Sequence, residues 1–316
     1  MTHRSAVAFD FTRTTVRIDS DAASLEALLY LPSSPGPHAG VVMAGGWCYV
    51  KELAQPRYAA ALAAAGIAVL IFDHHSFGGS EGKPRQHIDP WRQIADYRNA
   101  ISYMELRDDV DANRIGVWGV SYSGGHALVV AAIDPRVRAT CSIVPVIDGF
   151  ENMRLAHGTL GLRRLNAVVL EARRKLYETG EHTYVPHQPV DESEFAPWPF
   201  PQSRKTFAEL KASQAPAYEG RSTAQSVELL LAYSVTPFLE RLLGIPTLMV
   251  LAEGDDHTHW DLAVRAFDAI PGEAKQLSIV RNAGHLTLYA DRDTQADVAL
   301  TVSAFFTEHL VSNGGR

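Results

Sequence analysis

Ser121, Asp255 and His285 have the residue types, and the order along the chain, that acyl transfer requires. A serine hydroxyl is a poor nucleophile at neutral pH. It becomes effective when an imidazole takes its proton, and a carboxylate must then orient that imidazole and balance its charge. Ser121 lies in Ile115-Gly-Val-Trp-Gly-Val-Ser-Tyr-Ser-Gly-Gly-His126. An apolar run meets a glycine, then the serine, then small residues. This pattern predicts a sharp strand-to-helix turn with one hydroxyl at its apex and a helix N-terminus beneath it. The common form is Gly-x-Ser-x-Gly. Here Ser123 holds the fifth position, and glycine follows at Gly124 and Gly125. Serine is small enough for the turn to survive.

The partners follow in order. Thr247-Leu-Met-Val-Leu251 reads as a buried strand, and Ala252-Glu-Gly-Asp-Asp-His-Thr258 leaves its end. Asp255, after Gly254 and before Thr258, is the preferred carboxylate; Asp256 is the alternative. Gln276–Val280 reads as the next strand, and Arg281-Asn-Ala-Gly-His285 follows it. Of the 13 histidines, His285 has the best strand–loop context for a general base. The oxyanion of a tetrahedral intermediate needs backbone N–H donors. Tyr122, next to the nucleophile, is one candidate. Trp47, in the loop Gly45-Gly46-Trp47-Cys48, is the other. Gly46, His74, Phe150, Trp198 and Tyr233 are candidates for the substrate pocket. His74-His75 and His257-x-His259 lack the three or four converging ligands of a zinc site, so neither a metal nor a cofactor is expected.

Alternating strands and helices must position these residues. Strands are predicted at Ala6–Phe11, Thr14–Ile18, Ser24–Tyr30, Ala39–Ala44, Ala68–Asp73, Ile115–Gly119 and Ala139–Val144. Helices are predicted at Pro56–Ala65, Pro90–Glu105 and Ser123–Ala132. The runs Val41–Ala44 and Val69–Phe72 barely alternate, as in parallel strands covered on both faces. The earliest strands alternate more and suit an antiparallel edge. Residues 146–240 change character, with helical spacing at Leu165, Val169, Ala172 and Leu176, a proline- and aromatic-rich loop, and a helix at Ser226–Leu242. The rhythm resumes with Thr247–Leu251, Asp261–Ala269, Lys275–Val280 and Asp291–Val311. The expectation is a doubly wound, mostly parallel α/β sheet with a helical cap inserted after the sixth strand. Residues 1–145 and 241–316 would form the core and 146–240 the cap.

The 316 residues are 46% apolar and 21% charged, with net charge −7. Nothing suggests nucleic-acid binding, no acidic or basic tail appears, and no apolar run has membrane-spanning length. The N-terminus lacks a signal-peptide core. Two separated cysteines, Cys48 and Cys141, suit free thiols and a cytoplasmic location. Arg163, Arg164, Arg173, Arg174 and Lys175 give the cap a basic face, read as a solvated surface or a dock for an acidic carrier.

With these residues assembled, the chain resembles the α/β-hydrolase superfamily, and most closely its dienelactone-hydrolase-like and polyketide thiohydrolase/transferase branch. Gly45-Gly-Trp47 with Lys51-Glu52, Asp73–Gly82, Trp118–His126, Val144–Phe150 and the Asp255 and His285 segments carry the resemblance. It departs from the family where Gly45-Gly46 replaces the usual His-Gly, a histidine that braces the oxyanion loop, and where Ser123 replaces glycine. The resemblance implies a carboxylesterase- or thioesterase-like enzyme. Its expected substrate is an ester or thioester of a medium-sized, fairly apolar acid, free or carrier-bound. Acyl transfer or lactone formation, C–C bond hydrolysis, and non-catalytic ligand binding on the same fold are the alternatives. A homodimer is compatible with the sequence; nucleic acid and membrane partners are not expected.

Overall fold

Apolar runs without alternation form the middle of an eight-stranded sheet. The computed structural model describes residues 9–21 and 23–312. Its strands are β1 (Phe11–Ser20), β2 (Ala23–Pro32), β3 (His38–Ala44), β4 (Ala68–Phe72), β5 (Val110–Val120), β6 (Val137–Ile143), β9 (Thr247–Ala252) and β10 (Lys275–Val280). Their order is β1-β2-β4-β3-β5-β6-β9-β10. β1 pairs antiparallel with β2, and β2 with β4; the other pairs are parallel. Every residue of β3, β4 and β9 is buried, as central parallel strands require. β10, at the edge, is only partly covered.

Register sets the position of the site. Ala44 of β3 pairs with Gly119 of β5, Val120 of β5 with Ile143 of β6, and Ile143 lies beside the Val250 position of β9. The C-terminal ends of these strands therefore finish together. Loops leaving them meet at one edge, where ligands bind in open α/β sheets.

Helices α1 (Gln55–Ala64), α2 (Pro90–Glu105), α3 (Tyr122–Ile133), α7 (Trp260–Ala269), α8 (Thr287–Ala290) and α9 (Arg292–Phe306) connect or follow the strands. α1 packs with α9, and α2 with α3. Between β6 and β9 lie α4 (Gly149–Thr179), β7 (Tyr184–Pro186), α5 (Ser203–Ser213), β8 (Arg221–Thr223), α6 (Ala224–Leu231) and a 3-10 helix (Thr236–Leu242). α4 is kinked at Gly158 and buries Leu165, Val169 and Ala172. Among the described residues, no helix is long and apolar enough to cross a membrane.

Three expectations differ from the structure. Half of the strand expected at Ala6–Phe11, residues 6–8, lies outside the described residues; Phe9 and Asp10 are not in a strand, and Phe11 opens β1, which contains Thr14–Ile18. The helix at Ser226–Leu242 is broken after Leu231. Pro237 cannot supply the N–H a continuing helix needs, and Val235 N–H donates to Ile147 O instead. The last helix ends its α-form at Phe306 and continues as a π-helical turn over Thr307–Ser312.

Candidate active site

Ser121 sits between β5 and α3 with φ 56° and ψ −119°, a conformation that costs a non-glycine residue about 1–3 kcal/mol. The surroundings hold it there. Ser121 N–H donates to Ile143 O at 2.9 Å, and its carbonyl accepts from Val146 N–H at 3.1 Å. Gly119 is essential to this turn, because a Cβ there would collide with the Ser123 carbonyl. The strain aims the hydroxyl away from the sheet.

His285 follows β10 and precedes α8. Its Nε2 lies 3.2 Å from Ser121 Oγ, and its Nδ1 lies 2.8 Å from Asp255 Oδ2. All three residues are buried. Asp255 Oδ1 accepts from the N–H groups of His257 and Thr258, each at 2.9 Å. Thr258 Oγ1 lies 2.9 Å from Asp255 Oδ2, 3.0 Å from Val144 O and 3.3 Å from His285 Nδ1. Burial pushes the Asp255 carboxyl pKa up. The His285 charge and hydrogen bond, with the Thr258 N–H, outweigh burial and hold it below its ordinary value. An ionised Asp255 keeps the proton on Nδ1 and leaves the Nε2 lone pair toward the serine. Asp256, the alternative carboxylate, points elsewhere, to His257 Nδ1 at 2.6 Å.

Trp47 follows Gly46 in the glycine loop, and Tyr122 opens α3 directly after Ser121. Neither N–H makes a hydrogen bond within the described residues. Gly46 lies directly against the nucleophile: a Cβ on it would fall 2.8 Å from Ser121 Cβ and 3.2 Å from Oγ. The Ser123 hydroxyl donates to the Gly45 carbonyl. His74 Nε2 is 3.2 Å from that hydroxyl, and its Nδ1 is 3.4 Å from Asp96 Oδ2. Ser123 thus ties the elbow to the glycine loop, so the two departures from the family pattern contact each other.

Behind that loop, Lys51 Nζ meets Glu26, Glu52 and Asp73 at 2.7, 2.8 and 2.9 Å, and Lys51 N–H donates to Asp73 at 2.6 Å. Burial opposes the Lys51 charge, but the carboxylates outweigh it and hold the ammonium above its usual pKa. Three carboxylates share one cation. Burial, with the charge of Glu52 adding to it, pushes Asp73 up to about 6 despite Lys51.

A narrow cavity with room for about 10 Å³ opens onto Ser121 and His285 and is lined also by Trp47, Tyr49, His187, Trp198, Phe207 and His257. Of the expected pocket residues, Trp198 lines it and Gly46 adjoins the nucleophile. The other three lie elsewhere. His74 is behind the elbow, its Nε2 on Ser123 and its Nδ1 near Asp96 but without a hydrogen bond. Phe150 is 44% exposed on the first turn of α4. Tyr233 is buried one layer back, against Tyr122 and 2.9 Å from His126 Nδ1. Sequence reasoning missed Tyr289, whose hydroxyl lies 3.0 Å from His285 Nε2. Its spacing of four from His285 at the start of a helix was the available signal. Asp255, Asp256 and His257 hold ligand atoms within 4.8 Å of one another. Asp255 is already engaged by His285 and Thr258, and Asp256 and His257 by each other, so these residues fit no metal.

Sheet order and the gathering of these residues at the strand ends define the α/β-hydrolase class. Within that class the chain belongs to the X-Pro dipeptidyl-peptidase (S15) family, whose model matches residues 21–287. It is 30% identical to thiohydrolase aneE of Aspergillus aculeatus over 80% of both chains. It is 31% identical to acyltransferase drtE of Aspergillus calidoustus over 86% of both. The crystal structure of α/β hydrolase GrgF from Penicillium sp. sh18 superposes with TM-score 0.78 at 23% identity, covering 95% of this chain and 99% of that one. The resemblance to the thiohydrolase/transferase branch therefore holds.

Proposed function

We propose that this protein is a serine acyl-transfer enzyme that hydrolyses an ester or thioester of a medium-sized, fairly apolar acid. The observation that carries the proposal is the buried chain Ser121–His285–Asp255, with links of 3.2 and 2.8 Å. Ser121 Oγ attacks the acyl carbonyl as its proton passes to His285 Nε2. The Trp47 and Tyr122 N–H groups receive the oxyanion. Collapse of the intermediate expels the alcohol or thiol, which takes the proton from His285. Water then repeats the sequence on the acyl-enzyme, and the acid leaves as Ser121 recovers its proton. Asp255 stabilises the imidazolium at both stages.

Residues 146–240 act in this proposal as a lid on a core of 1–145 and 241–316. His187, Trp198 and Phe207 come from that segment and wall the cavity. With room for only about 10 Å³ the cavity is far smaller than ordinary ligand pockets, so the lid must shift for substrate to enter. Free, buried Cys48 and Cys141 suit the reducing cytoplasm, the location proposed here. The cavity's closure and its aromatic walls also favour a second reading, in which an alcohol or amine replaces water as acceptor. The activity named for the drtE relative is of that kind.

The test is product analysis on p-nitrophenyl esters and N-acetylcysteamine thioesters of graded acyl length, with and without added alcohol. Turnover by the wild type and none by Ser121→Ala is the expected result. Free acid alone identifies a hydrolase, and a new ester a transferase. Equal turnover by both proteins contradicts the proposal.

A further inference from the structure

Next to the proposed triad lies a second imidazole that it does not use. His257 is buried, lines the cavity and stacks on His285, with ring centroids 5.0 Å apart and planes 3° from parallel. Its other face is covered by Phe200, with centroids 4.0 Å apart and a 26° tilt. The edges are fixed as firmly. Nδ1 lies 2.6 Å from Asp256 Oδ1, and Nε2 lies 2.7 Å from Ser203 Oγ on the first turn of α5. The backbone is held too: His257 N–H donates to Asp255 Oδ1 at 2.9 Å, and its carbonyl accepts from Asn152 Nδ2 at 2.7 Å.

Three of these anchors, Phe200, Ser203 and Asn152, belong to the segment between β6 and β9. The other two, Asp256 and Asp255, belong to the loop that carries the triad carboxylate. Burial lowers the His257 pKa against the pull of Asp256, so a neutral ring faces the imidazole that must become charged during turnover. A cation stacked there would oppose that charge.

We infer that His257 is a positioning residue. Clamped between Phe200 and His285, its ring sets the plane of the triad imidazole and makes that plane depend on the seating of the lid. The inference rests on the proposed triad. His285 Nε2 has two hydroxyl neighbours, Ser121 at 3.2 Å and Tyr289 at 3.0 Å. A ring free to tilt could turn toward Tyr289 and away from the nucleophile, and the stack blocks that tilt.

The test compares His257→Ala, His257→Phe and wild type, each first shown to be folded by its thermal transition. Three readouts are used: the rate of fluorophosphonate labelling, kcat and KM on the best ester, and the low-field proton resonance of His285 Nδ1–H. His257→Ala is expected to lose about 10- to 100-fold in labelling rate and kcat, with KM little changed and the resonance shifted or broadened. His257→Phe keeps an aromatic face and is expected to recover most of the lost rate. Labelling of His257→Ala at the wild-type rate with an unchanged resonance overturns the inference, as does His257→Phe as slow as His257→Ala. Failure of the wild type itself to label at Ser121 overturns the proposed function instead, so the two failures are distinguishable.

Discussion

Mild acid should destabilise this protein through its buried histidines. His126 and His187 are fully buried, and burial pushes both well below their ordinary pKa of 6.5, with nearby histidines adding to the shift. His126 is held neutral by Tyr233 and Gln93, each at 2.9 Å, and His187 by Tyr218 at 2.6 Å. The unfolded chain binds these protons and the folded chain does not, so stability is lost as pH falls through 6.5. Between pH 7.5 and 5.5 the free imidazole gains about tenfold in its proton-binding weight, or about 1.4 kcal/mol for each histidine. Asp73 acts the other way. Its folded pKa of about 6 lies above 3.8, so the fold takes up a proton first and regains about 0.8 kcal/mol at pH 5.5. The net expected loss is about 2 kcal/mol, and more if His74, His87, His157 and His257, which burial also lowers, contribute. Urea unfolding followed by tryptophan fluorescence at the two pH values measures it. His187→Phe should cut the loss by about 1.4 kcal/mol. A wild type equally stable at both pH values, or a His187→Phe variant with an undiminished loss, would refute the reasoning.

Other perturbations have equally definite outcomes. Gly46→Ala puts a methyl 2.8 Å from Ser121 Cβ, so the elbow or the glycine loop must shift; kcat should fall about 10²- to 10³-fold and stability by about 1–3 kcal/mol, read by ester kinetics and urea titration. Ser123→Ala removes the tie to Gly45 and should lower kcat about tenfold with KM held, because it loosens the oxyanion loop and leaves the cavity intact; parallel loss in an Asn replacement of His74, with no further loss in the double variant, would show that they act as one unit. Lys51→Met strands buried Asp73 without its cation and should cost about 3–5 kcal/mol in urea unfolding.

The sequence was most legible where local chemistry decides structure. α2 starts and ends where expected because Asp89 caps it, accepting from the Trp91 and Arg92 N–H groups, and Pro90 opens it. The elbow was legible because Gly-x-Ser stands between an apolar strand-like run and a small-residue helix start, the context such a turn needs. Asp255 could be preferred to Asp256 but not separated from it, since the choice depends on where His285 lies in space. β5 begins at Val110, ahead of the expected Ile115, because Asp111–Arg114 look like a turn and join the strand only across an irregularity in its pairing with β3. The cavity walls were the least legible. Tyr49, His187, Phe207 and His257 come from four distant segments and share no spacing, and only packing brings them together. Phe150 was misplaced for the same reason: aromatic character marks a side chain worth burying, not the side of the helix on which it falls.

The central claim is that Ser121 is an activated nucleophile supported by His285 and Asp255. Intact-mass analysis after fluorophosphonate treatment tests it most directly, on wild type, Ser121→Ala and His285→Ala proteins shown to be folded. The account predicts one adduct on the wild type, mapped to Ser121, none on Ser121→Ala, and labelling slowed by several orders of magnitude in His285→Ala. No adduct on the folded wild type, or an adduct that persists in Ser121→Ala, would contradict it.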